Sequence, residues 1–143
     1  MKELNEGDRA PAFTELGENK GKTVVLYFYP KDDTPGCTTE ACELRDAHKQ
    51  IAAKNAVVLG VSPDSAKSHE KFSAKFSLPF SLVPDEDHKL CETYGVWKEK
   101  SMYGRKYMGV ERTTFVIGPD GVIKKIFRKV KAAGHAEEVL AVI

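Results

Sequence analysis

Apolar residues along the chain form short continuous runs that alternate with amphipathic stretches. Residues 23–29 are apolar or β-branched at nearly every position, which predicts a strand buried on both faces of a sheet. Pro30 ends this strand, because proline has no backbone N–H to donate to a neighbouring strand. Between residues 38 and 54, apolar side chains recur at steps of three and four, and this spacing predicts an amphipathic helix.

The rest of the chain continues the alternation of strand and helix. Further strands are predicted over residues 56–61 and 80–83, and further helices over residues 65–76, residues 88–94 and from residue 136 onward. Two β-rich runs, residues 113–117 and 122–127, flank Gly-Pro-Asp-Gly and predict a hairpin. The order β-α-β-α-β-α-β-β-α predicts an α/β fold with a mixed central sheet and helices on both faces. The thioredoxin-like fold is the natural candidate for this order.

Length, charge and cysteine content narrow the class of protein. The 143 residues predict a single domain spanning residues 1–143. A net charge of +1 argues against a general nucleic-acid binder, which needs a basic excess. The six-residue apolar run at 24–29 is far shorter than the roughly 20 residues that cross a membrane, and the first residues lack a signal peptide's apolar core. Three cysteines favour a cytoplasmic protein with one or two reactive thiols over a disulfide-stapled secreted scaffold.

The loop that joins the first strand to the first long helix carries the strongest chemical signal. Cys37 follows two prolines and a glycine and falls in the first turn of the predicted helix. Unpaired backbone N–H groups and the helix dipole favour the thiolate there, and the thiolate is the nucleophilic form of cysteine. We therefore expect the Cys37 sulfur to be ionised and reachable by a substrate.

Acidic neighbours of Cys37 oppose its ionisation. Asp32, Asp33 and Glu40 lie within five residues of it, so a cation from elsewhere in the chain is expected beside the sulfur. Arg112, just before the predicted strand at 113–117, is the leading candidate, and Arg45 is the local alternative.

A second cysteine, Cys42, lies five residues after Cys37. In an ideal helix this spacing separates the two Cα atoms by about 8.6 Å. A disulfide requires a separation below about 7 Å. The two cysteines can therefore pair only if the first turns of the helix unwind. A zinc site formed by both cysteines with His48 is a disfavoured alternative, because the histidines show no ligand spacing with them.

These residues resemble the peroxiredoxin family, specifically its bacterioferritin-comigratory (PrxQ) group. The signature Pro-x-x-x-Thr-x-x-Cys matches at Pro30, Thr34 and Cys37, and the group's form Thr-Pro-Gly-Cys-Thr-x-Glu-x-Cys matches over residues 34–42. The resemblance extends along nearly the whole chain, in the same order, at residues 7–13, 94–97 and 112–115.

The resemblance implies a thiol peroxidase that reduces hydrogen peroxide and organic hydroperoxides without a metal or organic cofactor. It implies that Cys37 is the peroxidatic cysteine and Cys42 the resolving cysteine of an intramolecular disulfide. Thr34, Arg112 and Pro30 match the family's remaining active-site positions. Thioredoxin or a similar dithiol is the implied reductant, and a monomer is the expected form. A thioredoxin-like disulfide exchanger and a non-catalytic peroxide sensor are the alternatives.

Two other groups of residues have open interpretations. Cys91 is interpreted as a packed, inert thiol, with a backup resolving cysteine as the alternative. The apolar side chains just before Arg112 belong either to the core or to an apolar wall beside the active site: Met102, Tyr103, Tyr107 and Met108. Residues 98–131 hold ten basic and three acidic residues, interpreted as a solvated strand face, with steering of an acidic reductase as the alternative.

Overall fold

A five-stranded mixed sheet forms the centre of the computed structural model, which describes residues 3–143. The helices, in chain order, are α1 (Thr14–Glu18), α2 (Pro35–Asp46), α3 (His48–Ala53), α4 (Ala66–Phe76), α5 (Lys89–Thr93) and α6 (His135–Leu140). The strands are β1 (Thr23–Phe28), β2 (Ala56–Ser62), β3 (Ser81–Pro84), β4 (Trp97–Met102), β5 (Arg105–Val110), β6 (Thr113–Ile117) and β7 (Ile123–Phe127). Among residues 3–143, no helix has both the length and the apolar character needed to cross a membrane.

The sheet has the strand order β3-β2-β1-β6-β7, which confirms the predicted mixed sheet. β1 runs parallel to β2 and antiparallel to β6, and β6 continues into β7 through the predicted hairpin. Phe28, at the end of β1, pairs with Thr113, at the start of β6. The loop after β1 and the residue before β6 therefore meet at the same edge of the sheet.

Apolar side chains cover both faces of the sheet, which explains the continuous apolar run in β1. One face packs against α2, α4 and α6, through Val25, Tyr27, Tyr29, Leu44, Phe72 and Val139. The other face packs against α5 and the start of β4, through Val24, Leu26, Phe28, Cys91, Tyr94 and Val96. The prediction of helices on both faces is confirmed.

Three local features differ from the sequence prediction. The helix predicted over 38–54 begins earlier, at Pro35, and is divided into α2 and α3 at Ala47, whose ψ of −2° departs from the helical value. α1 was not predicted. The segment before Arg112 is a hairpin of β4 and β5, closed by Tyr103 and Gly104, which both have positive φ.

Candidate active site

Cys37 lies in the first turn of α2, as the sequence predicts. Thr34 precedes the helix with an extended backbone, and Pro35 occupies its first position, where the missing N–H is not needed. The Cys37 side chain belongs to the core cluster that contains Ala41 and Leu44, and only 2% of the residue's surface is exposed. The expectation of a readily reachable sulfur is wrong in this respect, because the first turn of α2 packs against β1. Such burial suits a small reagent.

The guanidinium of Arg112 contacts the Cys37 sulfur. Nη2 donates a hydrogen bond to Sγ at 3.3 Å. Arg112 is therefore the distant cation that the sequence leads us to expect beside the sulfur. The contact places a positively charged hydrogen-bond donor directly at the sulfur. Gly36 leaves room for the contact, since a Cβ at this position would lie 3.2 Å from Nη2. Arg45, the alternative cation, instead donates to Asp46 at 3.0 Å and to the Phe76 carbonyl at 2.9 Å, so that alternative is wrong.

Glu40 holds Arg112 in place from the other side. Its Oε1 accepts a hydrogen bond from Arg112 Nη1 at 2.6 Å, and the carboxyl is completely buried. Its Oε2 has no hydrogen-bond partner among residues 3–143. Burial raises the pKa of Glu40 to about 7, against the opposing charge and hydrogen bond of Arg112. By sequence, Glu40 is predicted only as an acidic neighbour of Cys37, although its position one turn after Cys37 indicates that both residues face the same partner.

The raised pKa of Glu40 predicts that the protein loses stability as pH rises through the acidic range. The folded protein retains this proton up to about pH 7, whereas the unfolded chain releases it near pH 4.5. From this group alone, the free energy of unfolding falls by about 3 kcal/mol between these two values. Glu40→Gln is expected to abolish this component. Denaturant titrations of both proteins at several pH values measure it, and identical pH profiles would contradict the assignment.

The other two acidic neighbours are engaged away from the sulfur. Asp33 forms an ion pair with Lys75 of α4 at 2.8 Å, in an exposed position. Asp32 is buried and accepts hydrogen bonds from α4 and from Tyr29. Both carboxylates are therefore bonded to residues other than Cys37.

Thr34, Pro30 and Cys42 complete the predicted set. Thr34 Oγ1 donates to the Lys31 carbonyl at 2.8 Å, which leaves its lone pairs able to accept from a hydroperoxide O–H. Pro30 is half-buried directly after β1.

Cys42 is half-buried and unpaired, and it lies in the same continuous helix, α2, as Cys37. Among residues 3–143, the zinc grouping of both cysteines with His48 does not form.

The β4–β5 hairpin carries a second cation, Lys100, that the sequence pattern does not predict near the site. Burial and the charge of Arg112 lower the pKa of Lys100, which places this lysine within electrostatic reach of the site. Tyr107 pairs with Lys100 across the hairpin, and Met102 lies on the same face. Met108 pairs with Glu99 on the opposite face, so the predicted apolar wall is divided.

The alternative assignment of these apolar residues to the core is wrong. The exposed fractions of the four are 56% for Met102, 99% for Tyr103, 43% for Tyr107 and 50% for Met108. The cause is the hairpin itself, which stands outside the five-stranded sheet as a separate two-stranded unit.

Cys91 lies on the other face of the sheet from Cys37. It is fully buried in the cluster with Tyr94 and Val96, whereas Cys37 belongs to the cluster against α2. Burial and the neighbouring Asp85 carboxylate, which accepts a hydrogen bond from the Cys91 backbone N–H, raise the pKa of Cys91 far above its ordinary value. This environment supports the inert thiol over the backup resolving cysteine.

Similarity to known proteins identifies the family of this chain. The profile of the AhpC/TSA family matches residues 4–126. The chain belongs to the AhpC/TSA family. A peroxiredoxin Bcp from Bacillus subtilis is 54% identical to this AhpC/TSA protein, over 88% of this chain and 80% of its own. A Xylella fastidiosa PrxQ variant superposes with a TM-score of 0.91 at 43% identity, over 99% of this chain and 96% of its own.

A third relative carries information on activity. The structure of the Xanthomonas campestris bacterioferritin comigratory protein, determined in work on its alkyl peroxide reduction, has a TM-score of 0.84 and 48% identity. It covers 88% of this chain and 80% of its own. This AhpC/TSA protein is therefore a peroxiredoxin of the Bcp/PrxQ group with a thioredoxin-like fold, and it is a thiol peroxidase that acts on hydroperoxides. The family resemblance drawn from the sequence is confirmed.

Proposed function

We propose that Cys37 is the peroxidatic nucleophile of this enzyme. Its thiolate attacks one oxygen of the hydroperoxide, an S–O bond forms as the O–O bond breaks, and the leaving oxygen takes up a proton. Cys37 becomes a sulfenic acid, and the peroxide is reduced to water or an alcohol. The observation that carries the proposal is the 3.3 Å contact between Arg112 Nη2 and Cys37 Sγ.

Arg112 acts where charge moves during the reaction. Negative charge passes from the sulfur to the leaving oxygen, so a donor fixed beside that path stabilises the transition state more than the ground state. Glu40 orients the guanidinium through its second nitrogen. The Cys37 backbone N–H supplies a further donor, because the first-turn amides of a helix have no intrahelical acceptor.

Thr34 and Pro30 shape the entry to the sulfur. The Thr34 hydroxyl donates its hydrogen bond to the Lys31 backbone carbonyl, so its oxygen acts as an acceptor that orients the hydroperoxide O–H. Pro30 limits the access of water to Cys37 at the end of β1. Met102 and Tyr107 offer exposed apolar surface on the hairpin face that carries Lys100, and this surface suits the alkyl group of an organic hydroperoxide.

Cys42 is the proposed resolving cysteine. Its thiol attacks the Cys37 sulfenic sulfur, an intramolecular disulfide forms and water leaves. Because both residues lie in the intact α2, the step requires the first turns of this helix to unwind. Thioredoxin or a similar dithiol protein then reduces the disulfide by thiol–disulfide exchange. A monomeric, cytoplasmic enzyme is the proposed form, since three unpaired cysteines suit a reducing compartment.

Cys42→Ser separates the two halves of the proposed cycle. The variant retains Cys37, so the first oxidation by one equivalent of peroxide is expected to proceed at the wild-type rate. Turnover with thioredoxin and its reductase is expected to fall to a small residue, because no intramolecular disulfide forms. Stopped-flow fluorescence measures the first step and NADPH consumption the second. Unchanged thioredoxin-dependent turnover in Cys42→Ser would show that another group resolves the sulfenic acid.

A further inference from the structure

A buried polar network fixes the loop that leads into α2. The Asp32 carboxylate in this loop accepts hydrogen bonds from three side chains. Tyr29 Oη donates to Oδ1 at 2.5 Å, and Ser68 Oγ donates to Oδ2 at 2.8 Å. His69 Nδ1 lies 2.7 Å from the same Oδ2. The Asp32 backbone N–H donates to Asp64 Oδ2 at 2.8 Å, so both parts of this residue are attached to α4 and the connection before it.

His69 is the charged partner in this network. Its Nε2 lies 3.1 Å from the Val83 carbonyl oxygen, which can only accept, and its Nδ1 faces the Asp32 carboxylate. Because both ring nitrogens face acceptors, the doubly protonated, charged ring is the form that satisfies both of them. Burial opposes this charge, but the hydrogen bond and charge of Asp32 raise the pKa of His69 above its ordinary value. The titratable groups facing His69 are Asp32, Asp64 and Tyr29.

The network lies directly before the residues that lead into α2 and carry Cys37. Asp32 lies two residues after Pro30 and two before Thr34, the residue that immediately precedes α2 and its Cys37. The next residue, Asp33, has a left-handed φ of 56°, and its pairing with Lys75 is exposed. If α2 unwinds to bring Cys37 to Cys42, the unwinding can extend toward the N-terminus as far as Asp33, which is exposed and strained. It is expected to stop there, because the preceding residue, Asp32, is buried and paired with His69.

We propose that Asp32 and His69 form a positioning pair for the peroxidatic loop. The pair fixes Pro30 and Thr34 around Cys37, and it confines oxidation-linked unwinding to residues after Asp32. The inference rests on the proposed two-cysteine cycle. Neither residue contacts the reacting sulfur; both act through the loop. Weakening the pair therefore slows the reaction with peroxide and does not slow disulfide closure.

His69→Asn tests the pair. The asparagine amide donates to Asp32 from the position of Nδ1 but carries no charge and does not reach Val83. The second-order rate of Cys37 oxidation is expected to fall about tenfold, because a small displacement of positioning groups is costly. The rate of disulfide closure is expected to stay the same or rise. Rapid-mixing fluorescence with hydrogen peroxide resolves the two steps.

The pH profile distinguishes positioning from a general loss of stability. The contribution of the ion pair is present below the ordinary pKa of histidine and is lost as pH rises through the raised pKa of His69. The ratio of the wild-type to the His69→Asn oxidation rate is therefore expected to narrow toward one at alkaline pH. A ratio that does not vary with pH would contradict the role of the charged pair.

His135→Asn is the matched control. His135 is also buried and bonded at both ring nitrogens, to Thr114 and Glu138, but it does not contact the loop. The His135→Asn variant is expected to keep the wild-type ratio of the Cys37 oxidation rate to the disulfide-closure rate. If His69→Asn does not fold, Ser68→Ala removes one donor to Asp32 and is expected to slow oxidation about threefold in the same direction. Equal effects of the His69 and His135 variants on both steps would overturn the proposal.

Hydrogen exchange of the oxidised protein gives an independent readout. The Asp32 amide, which is bonded to Asp64, is expected to stay protected in the oxidised wild type while amides from residue 36 to residue 45 lose protection. In oxidised His69→Asn the loss is expected to reach Asp32. Equal protection of the Asp32 amide in both oxidised proteins would overturn the proposal that the Asp32–His69 pair confines the unwinding. Failure of Cys37 to oxidise at all would instead refute the proposed cycle on which it rests.

Discussion

Replacing Cys37 with serine is expected to reduce peroxide consumption to the uncatalysed background, a loss of several powers of ten. The serine hydroxyl fits the same position beside Arg112, but it stays protonated there at neutral pH and is a poor nucleophile. The rest of the site, including the Arg112–Glu40 pair, is expected to remain in place. The measurement is peroxide consumption by purified wild type and variant with thioredoxin, thioredoxin reductase and NADPH.

Cys91→Ala is the control for this experiment. Cys91 is buried on the opposite face of the sheet and belongs to a different core cluster, so its removal is expected to leave peroxide consumption unchanged. A circular dichroism spectrum and a thermal melt establish that both variants are folded. Residual turnover in Cys37→Ser close to the wild-type rate would assign the nucleophile to another group.

Replacing Arg112 with methionine is expected to lower the second-order rate of Cys37 oxidation by about 10²- to 10³-fold, the usual cost of removing one transition-state donor. Two nitrogens of the guanidinium hold it in the site, since Nη2 donates to the Cys37 sulfur and Nη1 donates to the buried Glu40. Arg112→Lys keeps the charge but cannot bridge both partners, so it is expected to recover only part of the rate. Rapid mixing with hydrogen peroxide gives the rate constants directly.

Arg45→Met is the matched control for the charge. Arg45 lies in the same helix as Cys37 but binds Asp46 and the Phe76 carbonyl, and it is partly exposed. Its loss is expected to leave the oxidation rate within about twofold of wild type, because exposed ion pairs contribute little. An equal loss of rate in the Arg45 and Arg112 variants would mean that net charge, rather than the fixed contact, activates the sulfur.

The fold could be predicted where burial decides the pattern. β1 reads as an apolar run because both of its faces are covered, and α2 reads as a helix because only one of its faces is. The β4–β5 hairpin was missed because it lies outside the main sheet and most of its side chains are exposed, so burial imposes no clear alternation on it. The break at Ala47 has no proline or glycine to signal it.

The site could be predicted as a set of residues but not as a network. The spacing of Pro30, Thr34 and Cys37 is local and can be read directly. Arg112 was predicted because an acidic neighbourhood required a distant cation. The roles of Glu40 toward Arg112 and of Asp32 toward His69 depend on contacts between residues 72 and 37 positions apart. Such contacts follow from strand order and helix packing, which local patterns in a single sequence do not reveal.

The most direct test of the proposed chemistry is a map of the cysteines after treatment with one equivalent of hydrogen peroxide. Proteolysis without reduction, followed by mass spectrometry, identifies which thiols are joined. A disulfide between Cys37 and Cys42, with Cys91 still a free thiol, is the predicted result. An unmodified Cys37 after the peroxide has been consumed would contradict the account at its centre.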